Sequence, residues 1–352
     1  MATITHRRCG WIAAEDKNPD NPDDLSNRPG TATFVDNSHF FHAIHPAWYF
    51  VKKGGAIQPQ PTENDSQIRS AAKAAGTLLW PLIFAHADDI RPILEDPTLR
   101  DGHIRDLVNI VQDAAHPYDG IDIDYEDFKD TEDPAHGLDR KTYTTFITKL
   151  AKAMNGLSPR KFVSAAVGAV FNNSKLQAKS PYDYATLVGL LDAVHVMTYD
   201  LHTENSHVGA NCPQWLLEGA IATAQAAGHT GNFVFGLPNY GHAFLGTTAQ
   251  GIDLPGAPSR CRGGKFTYVD SHDPGCTFRT DWAVAVGAVA GSQPNGRGTD
   301  PSTLMNGPVF FDDLKSLRER ATIIQRAGFG ITYWALGKEL PGFIEMLKAL
   351  FP

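Results

Sequence analysis

Short apolar segments rich in β-branched and aromatic residues alternate along this chain with segments whose apolar residues recur at helical spacing. The short segments predict eight strands, at residues 9–14, 39–45, 77–85, 119–126, 161–168, 192–200, 232–237 and 329–335. Most of them begin roughly 30–45 residues apart, which is the length of a β-α-β unit. Eight such units predict an α/β fold, a (β/α)8 TIM barrel, as a single domain over residues 1–352.

The alternation breaks between the seventh and the eighth predicted strand. Residues 242–310 are rich in Gly, Pro, Ser and Asp, so we predict an insertion there, either a loop or a small subdomain. Cys261 and Cys276 lie in this insertion and are close enough in sequence to form a disulfide, whereas Cys9 and Cys212 should lie at opposite ends of the barrel. The four cysteines show no spacing typical of metal ligands.

Composition narrows the class of protein. The 352 residues are 42% hydrophobic and 20% charged, which suffices for one large core. The net charge of −8 argues against nucleic acid, which requires a basic surface. No apolar run reaches the length of a membrane span, and no apolar stretch typical of a secretory signal follows the basic residues of Met1–Arg8. We expect an acidic monomer that acts away from membranes.

The stretch from Asp119 to Glu126 carries the candidate chemistry. In a strand, alternate side chains point to opposite faces, so Asp122, Asp124 and Glu126 share one face and apolar residues take the other. Buried carboxylates without partners are very costly, and we therefore expect the acidic face to open onto water, a metal or a ligand. Neighbouring carboxylates also raise each other's pKa. Because Glu126 would end the strand, where α/β folds place their chemistry, we predict it to be a general acid.

Two other interpretations of the acidic stretch stay open. A calcium-binding loop also has acidic residues at every second position, but it requires glycine at its sixth position. Counting from Asp122, that position holds Asp127. A solvated edge strand would show the same alternation without any chemistry. Asp119 lies on the opposite face and is predicted to be a structural hydrogen-bonding residue.

Residues 119–126 resemble the Asp-Gly-x-Asp-x-Asp-x-Glu signature of family 18 glycoside hydrolases, the chitinase family. Three further segments match this family at the ends of predicted strands: Met-Thr-Tyr-Asp at 197–200, Gly-Leu-Pro-Asn-Tyr-Gly at 236–241 and Ile-Thr-Tyr-Trp-Ala-Leu at 331–336. The four motifs fall in the expected order, and the resemblance covers most of residues 9–350.

The resemblance implies a role for each of several residues. Glu126 would protonate the glycosidic oxygen while the 2-acetamido oxygen of the substrate attacks C1, so that configuration is retained without a carboxylate nucleophile. Asp124 would orient the acetamido group, Asp122 would share a proton with Asp124, and Tyr199 would hydrogen-bond the acetamido oxygen. The residues predicted to bind substrate are Asp200, Trp334, Tyr240, Trp11 and His202. No metal and no organic cofactor is required.

Three positions depart from the family's pattern. The third strand commonly carries Ser-x-Gly-Gly, where this chain has Trp80–Ala85, and His242 stands where an Arg often follows the seventh strand. The second strand, Ala43–Phe50, looks more like the bacterial spore and cell-wall branch than like fungal or plant chitinases. The likeness of the second strand favours peptidoglycan as an alternative source of N-acetylglucosamine bonds.

The sequence therefore predicts a retaining hydrolase of β-1,4-linked N-acetylglucosamine polymers, chitin or chito-oligosaccharides, that acts outside the cell or on cell walls. A peptidoglycan or cortex hydrolase and an endo-β-N-acetylglucosaminidase would carry nearly the same motifs. A non-catalytic chitin-binding lectin on the same barrel is a further alternative, since fold alone does not establish catalysis. An unrelated barrel enzyme with a carboxylate metal site would instead show metal-dependent activity.

Overall fold

Eight parallel strands lie side by side in chain order and curve into a barrel. The computed structural model of the chain describes residues 7–14, 29–60, 65–126, 128, 139–170, 180–201, 210–228, 231–245, 248–252, 267–268, 276–279 and 309–352. The barrel strands are β1 (Cys9–Ile12), β2 (Ala43–Val51), β3 (Leu82–His86), β4 (Gly120–Glu126), β5 (Phe162–Gly168), β6 (Ala193–Met197), β7 (Phe233–Pro238) and β8 (Gly330–Trp334). This order confirms the predicted α/β class and the (β/α)8 barrel.

The barrel closes where β8 returns to β1. The amide of Ile331 donates to the carbonyl oxygen of Arg7 at 2.7 Å, and the amide of Leu336 donates to the carbonyl oxygen of Trp11 at 2.9 Å. A bridge between Arg8 and Ile331 joins the two strands directly. This seam completes the hydrogen-bonded wall of the barrel.

Helices connect the strands and cover the outer face of the barrel. Their bounds are α1 (Pro29–Asn37), α2 (Ser66–Ala75), α3 (Ala87–Glu95), α4 (Pro97–Gln112), α5 (Arg140–Asn155), α6 (Tyr184–Leu190), α7 (Gln214–Ala226), α8 (Leu314–Arg326) and α9 (Phe343–Leu350). Aspartate caps several of them: the side chain of Asp96, for example, accepts hydrogen bonds from the amides of Thr98 and Leu99. Within the described residues, no helix is long and apolar enough to cross a membrane.

Three predicted strands need correction. The second begins at Ala43 rather than at residue 39, because Ser38–Phe40 forms a turn of 3-10 helix. The third is interrupted at Pro81, which has no N–H for the ladder, so that Leu78–Leu79 pairs with β2 separately from β3. The sixth ends at Met197. The last residues of the Met-Thr-Tyr-Asp motif therefore lie on the loop beyond the strand.

The insertion between β7 and β8 contains an antiparallel sheet of its own. Its strands are Gly241–Leu245, Thr248–Ile252, Thr267–Tyr268, Cys276–Arg279 and Val309–Asp312. Residues 242–310, predicted as a loop or a small subdomain, thus include regular strands. Cys261 lies outside the described residues, so its pairing with Cys276 stays a prediction. Cys9 and Cys212 are buried free thiols, as their predicted separation requires.

The inside of the barrel is filled in layers, and one layer is polar. Apolar clusters lie toward the amino ends of the strands (Cys9, Ala43, Trp80, Ala193, Val234) and toward the carboxyl ends (Trp11, Ala47, Leu82, Ala166). Between them, at inward-facing positions of β2, β4 and β6, lie His45, Asp122 and His195, none of which has any exposed surface. Because water does not reach these side chains, their polar atoms must find partners inside the barrel.

Asp119, just before the acidic strand β4, and Gly120, its first residue, both have structural roles. The side chain of Asp119 accepts a hydrogen bond from the amide of Leu79 at 2.9 Å, which confirms its predicted structural role. Gly120 packs directly against β5: a methyl group there would lie 2.7 Å from Cβ of Phe162 and closer still to the carbonyl oxygen of the same residue. Glycine at this position therefore lets β4 and β5 approach closely.

We expect Gly120→Ala to lower the free energy of unfolding by about 2 kcal/mol, because the added methyl group forces two paired backbones apart. Urea denaturation measures this change. Gly189→Ala is the matched control, since a methyl group at Gly189 in α6 meets nothing within 4 Å. Equal stability of the two variants would show that the contact with Phe162 relaxes at no cost.

A buried carboxyl group makes stability depend on pH. Glu339 follows β8, and its Oε2 accepts hydrogen bonds from the amide of Gly337 at 2.8 Å and from the hydroxyl of Thr33 at 3.4 Å. Burial nevertheless raises the pKa of Glu339 to about 7. The folded state therefore holds this proton more tightly than the unfolded state does.

The stability contributed by this proton is fully present below the pKa of the unfolded chain and is lost as the pH rises through about 7. We expect Glu339→Gln to remove that loss, so that the variant gains about 2 kcal/mol on the wild type between pH 4.5 and pH 8. Thermal denaturation across this range measures the difference. Glu95→Gln, at an exposed position, should follow the wild type at every pH.

Candidate active site

Glu126 ends β4 and borders a cavity of about 320 Å³ at the carboxyl ends of the barrel strands. Tyr199 and Asp200, both predicted site residues, line the same cavity, with Tyr182 and Met197 beside them. Because all eight strands end on this side of the barrel, motifs that are far apart in sequence meet here.

Asp122 lies behind the cavity and is completely buried. Its Oδ2 accepts a hydrogen bond from the indole N–H of Trp11 at 2.9 Å, and its Oδ1 accepts one from the hydroxyl of Ser164 at 2.7 Å. Nδ1 of His195 lies 3.2 Å from Oδ1. Burial by itself raises the pKa of this carboxyl, but the charges of His195 and His45, together with the hydrogen bonds, hold the pKa well below its usual range. Asp122 is therefore ionised.

His195 belongs to the same buried layer. Its ring meets the ring of Trp11 edge to face at 5.4 Å and that of His45 at 4.7 Å, measured between centroids. Burial lowers the pKa of His195, but the charge of Asp122, the hydrogen bond to Asp122 and the contact with Cys9 raise it to about 9. The imidazole and the carboxylate thus stabilise each other's charge inside the barrel.

Of the three residues on the acidic face, only Glu126 lines the cavity. Asp122 has no exposed surface and Asp124 is 5% exposed, whereas Glu126 is half-buried. The expectation that the acidic face opens onto water, a metal or a ligand is therefore wrong for Asp122, because donors inside the barrel satisfy its oxygens. Along β4 the three carboxyls pass from fully buried to accessible within five residues of chain.

Trp11 was expected to bind substrate, and the structure places it inside the barrel with 1% of its surface exposed. Its N–H is committed to Asp122, and its ring lies 6.2 Å from the ring of Trp334. From this position Trp11 supports both residues and offers almost no surface to a ligand.

Tyr199 lines the cavity, and Tyr240, which is not among the lining residues, packs against Tyr199. The rings of Tyr199 and Tyr240 meet edge to face with 5.9 Å between their centroids. Burial raises the pKa of both phenols well above the usual range, and the charges of Asp200 and Glu126 raise it further. Both hydroxyls therefore stay protonated near neutral pH and are able to donate hydrogen bonds.

Asp200 is held in an uncommon backbone conformation. Its φ of 58° lies in the left-handed region, which few residues other than glycine adopt. The amide of Asp200 donates to Oδ1 of the buried Asn211 at 2.7 Å, and Nδ2 of Asn211 donates to the carbonyl oxygen of Tyr240 at 3.2 Å. Asn211 thereby joins the loops after β6 and β7 and holds Asp200 at the cavity.

Trp334 ends β8 and is partly exposed. Its carbonyl oxygen accepts a hydrogen bond from the amide of Asn239 at 2.8 Å, which links the end of β8 to the loop after β7. His202 lies outside the described residues, so its placement along the cleft stays a prediction.

Sequence reasoning missed four supporting residues: His45, Ser164, His195 and Asn211. The first three are polar residues at inward positions of strands that are otherwise apolar, and this pattern was a usable signal. Asn211 lies in a loop without any motif, so only the tertiary structure reveals its contacts.

This arrangement is suited to acid catalysis on a bound neutral ligand. An accessible carboxyl, Glu126, stands at the mouth, a fixed negative charge lies behind it at Asp122, and protonated phenols flank it. Carboxyls held in such different environments ionise at different pH values, which allows one of them to keep a proton while another stays charged.

The sequence of this chain matches a known protein family over the part that contains the candidate site. Residues 83–339 match the sequence profile of Glycosyl hydrolases family 18, a range that includes all four motifs described above. The uncharacterized glycosylase YvbX of Bacillus subtilis is 24% identical over 201 residues, which make up 55% of this chain and 54% of YvbX. The chain thus matches about half the length of this curated relative.

Solved structures share the fold over nearly the whole chain. A chitinase from Chromobacterium violaceum superposes with a TM-score of 0.73 at 16% identity, covering 98% of both chains. The spore cortex-lytic enzyme SleL of Bacillus megaterium gives a TM-score of 0.72 at 17% identity, covering 100% of this chain and 76% of SleL. A plant class V chitinase mutant from Cycas revoluta, in complex with (GlcNAc)3, gives a TM-score of 0.72 at 15% identity, covering 98% of this chain and 100% of the chitinase.

At such identities the structural likeness establishes the (β/α)8 fold, and the profile match goes further because it covers more than half of the chain. This protein belongs to family 18 of the glycosyl hydrolases.

Proposed function

We propose that this chain hydrolyses β-1,4-linked N-acetylglucosamine polymers, chitin and chito-oligosaccharides, with retention of configuration. The observation that carries the proposal is the pairing of an accessible carboxyl, Glu126, with an ionised and fully buried carboxylate, Asp122, on one strand of a family 18 barrel. Binding alone would not require a carboxyl at the cavity mouth, which favours a hydrolase over a lectin.

Glu126 supplies the proton. As the bond between C1 and the glycosidic oxygen breaks, the carboxyl O–H of Glu126 protonates the leaving oxygen, and the acetamido oxygen of the same sugar bonds to C1 from the other face. The carboxylate left on Glu126 then takes a proton from the water that opens this cyclic intermediate. One residue thus acts first as an acid and then as a base.

Asp124 would orient the acetamido group. As the family resemblance implies, Asp122 would share a proton with Asp124. When Asp124 holds that proton, it would donate a hydrogen bond to the acetamido group of the substrate.

The remaining contacts come from residues around the mouth. Tyr199, kept neutral by burial, would donate its phenolic hydrogen to the acetamido oxygen and so aim it at C1. Asp200, held in position by Asn211, would accept from a sugar hydroxyl. Trp334 and Tyr240 would offer aromatic faces to the C–H surface of the ring.

Peptidoglycan is a second candidate substrate, and one observation favours it. At the carboxyl ends of β2 and β3 the rings of Phe50 and Phe84 lie 5.0 Å apart, and Phe84 stands where the family commonly has Ser-x-Gly-Gly. His86, two residues further along β3, is the register partner of Glu126. A bulky apolar surface beside the acid would suit the lactyl substituent of muramic acid better than the plain hydroxyl of chitin.

We expect Glu126→Gln to lower kcat on chito-oligosaccharides by about 10² to 10⁴-fold, because the amide cannot supply a proton. Reducing-end release measures this loss. An aryl chitobioside carries a leaving group that needs little protonation, so the loss should be smaller with that substrate. Glu95→Gln makes the same chemical change at an exposed site in α3 and should leave kcat unaltered.

Unchanged kcat in Glu126→Gln on both substrates would contradict the assignment of Glu126. Loss of equal size on both substrates would contradict its action as a general acid. Activity on purified peptidoglycan alone would favour the second candidate, and binding of chito-oligosaccharides without hydrolysis of either polymer would favour a lectin.

We expect Trp11→Phe to lower kcat about tenfold with little change in KM, because Asp122 loses one of its buried hydrogen-bond donors. Steady-state kinetics with chito-oligosaccharides measures the two constants. Trp80→Phe is the matched control: Trp80 is equally buried, and its indole N–H has no hydrogen-bond partner within the described residues.

The two substitutions remove the same ring area, so a difference between them reports the hydrogen bond to Asp122. Equal values of kcat in both variants would refute a positioning role for the N–H of Trp11.

A further inference from the structure

Three buried side chains meet inside the barrel on the amino-terminal side of the acidic site. Cys9, His45 and His195 come from β1, β2 and β6, and each offers one ligand atom, sulfur or ring nitrogen, within 4.8 Å of the other two. All three are buried, and both imidazoles have no exposed surface.

The Nδ1 atoms of the two imidazoles already have hydrogen-bond partners. Nδ1 of His195 faces Oδ1 of Asp122 at 3.2 Å, and Nδ1 of His45 faces the carbonyl oxygen of Trp80 at 3.3 Å. Both partners are acceptors, so each Nδ1 carries a proton, and loss of the second proton that His195 holds without a metal would leave each ring a lone pair at Nε2.

The Nε2 atoms of the two rings have no hydrogen-bond partner among the described residues. Nε2 of His45 and Nε2 of His195 are both buried and unpaired there. The Cys9 thiol has one proton, which is able to satisfy only one of them. A buried nitrogen without a partner is unfavourable, so a cluster built in this way calls for an additional group.

We propose that Cys9, His45 and His195 bind a divalent transition metal, with zinc the best match to the donor set. A thiolate and two imidazole nitrogens are the ligands that zinc prefers. In zinc sites the ligating histidine commonly gives its other N–H to a carboxylate or a carbonyl group, which is the arrangement that Asp122 and Trp80 provide here.

Charge and size are also consistent with zinc. The two charges of the metal balance the thiolate of Cys9 and the carboxylate of Asp122, so the buried cluster is neutral. Tetrahedral zinc holds its sulfur and nitrogen ligands about 3.5 Å from one another. The side chains, which lie within 4.8 Å, reach that separation by shifts of about 1 Å.

The site is separate from the proposed hydrolysis. The metal would lie behind Asp122 and away from the cavity at Glu126, and its effect would be to fix the His195 ring that holds Asp122 in place. The proposal therefore does not rest on the proposed function, and its test needs no substrate.

Metal analysis tests the proposal on the whole chain. We expect protein purified without added chelator to hold one zinc ion per chain by elemental mass spectrometry. After removal of the metal, one equivalent of Co²⁺ should restore a thiolate-to-cobalt charge-transfer band in the near ultraviolet. Stoichiometric zinc should raise the melting temperature of the metal-free chain by about 5 °C.

Cys9→Ser should abolish the charge-transfer band, while Cys212→Ser, which alters the other buried free thiol, should retain it. If Cys9→Ser fails to fold, the wild-type cobalt spectrum together with His45→Gln decides instead. A wild-type chain that shows neither the band nor a rise in melting temperature would overturn the proposal and leave a thiolate–imidazolium pair in its place. A band that is lost in Cys212→Ser and kept in Cys9→Ser would also overturn it.

Discussion

An ionised carboxylate inside a barrel is the constraint on which this site depends. Without partners, Asp122 would have to be protonated or the strand would not be stable in this position. Trp11 on β1, Ser164 on β5 and His195 on β6 each contribute a donor or a charge to it. Strands that are distant in sequence are thus joined through one side chain, and the active site inherits its charge from this buried network.

The acidic face of β4 becomes more accessible from Asp122 towards the end of the strand. Asp124 and Glu126 follow Asp122 on the same face, and each is more exposed than the one before it. The fixed negative charge of Asp122 thus lies at the buried end of this face, and Glu126, which we propose as the general acid, lies at the accessible end. The order of burial along one strand thus gives Asp122 and Asp124 different surroundings although their residue type is the same.

Hydrogen bonds between loops hold the part of the candidate site that lies beyond the strands. Asn211 joins the segment after β6 to the segment after β7, and it accepts the amide of Asp200 in a backbone conformation that the residue would otherwise avoid. The end of β8 is tied to the same region through Asn239. Functional side chains on loops generally require such support, because a displacement of about 1 Å is enough to lose much of their effect.

The sequence by itself determined the fold class, the family and the acidic strand. Apolar segments at regular intervals reflect a strand period and a helix period that any barrel of this kind must have, and the motif at Asp119–Glu126 is local in sequence. Local signals failed where the outcome depended on neighbours: Pro81 splits the third strand, and Ser38–Phe40 turns before the second.

Only the tertiary structure decided which acid is buried and what surrounds it. Asp122 and Asp124 look equivalent in the sequence, and the donors that hold Asp122 come from other strands. Cys9, His45 and His195 likewise show no common spacing and meet only because the closed barrel brings inward positions of β1, β2 and β6 together. The alternation along a strand predicts the face on which a residue lies. The residues that it contacts on that face depend on how the barrel closes.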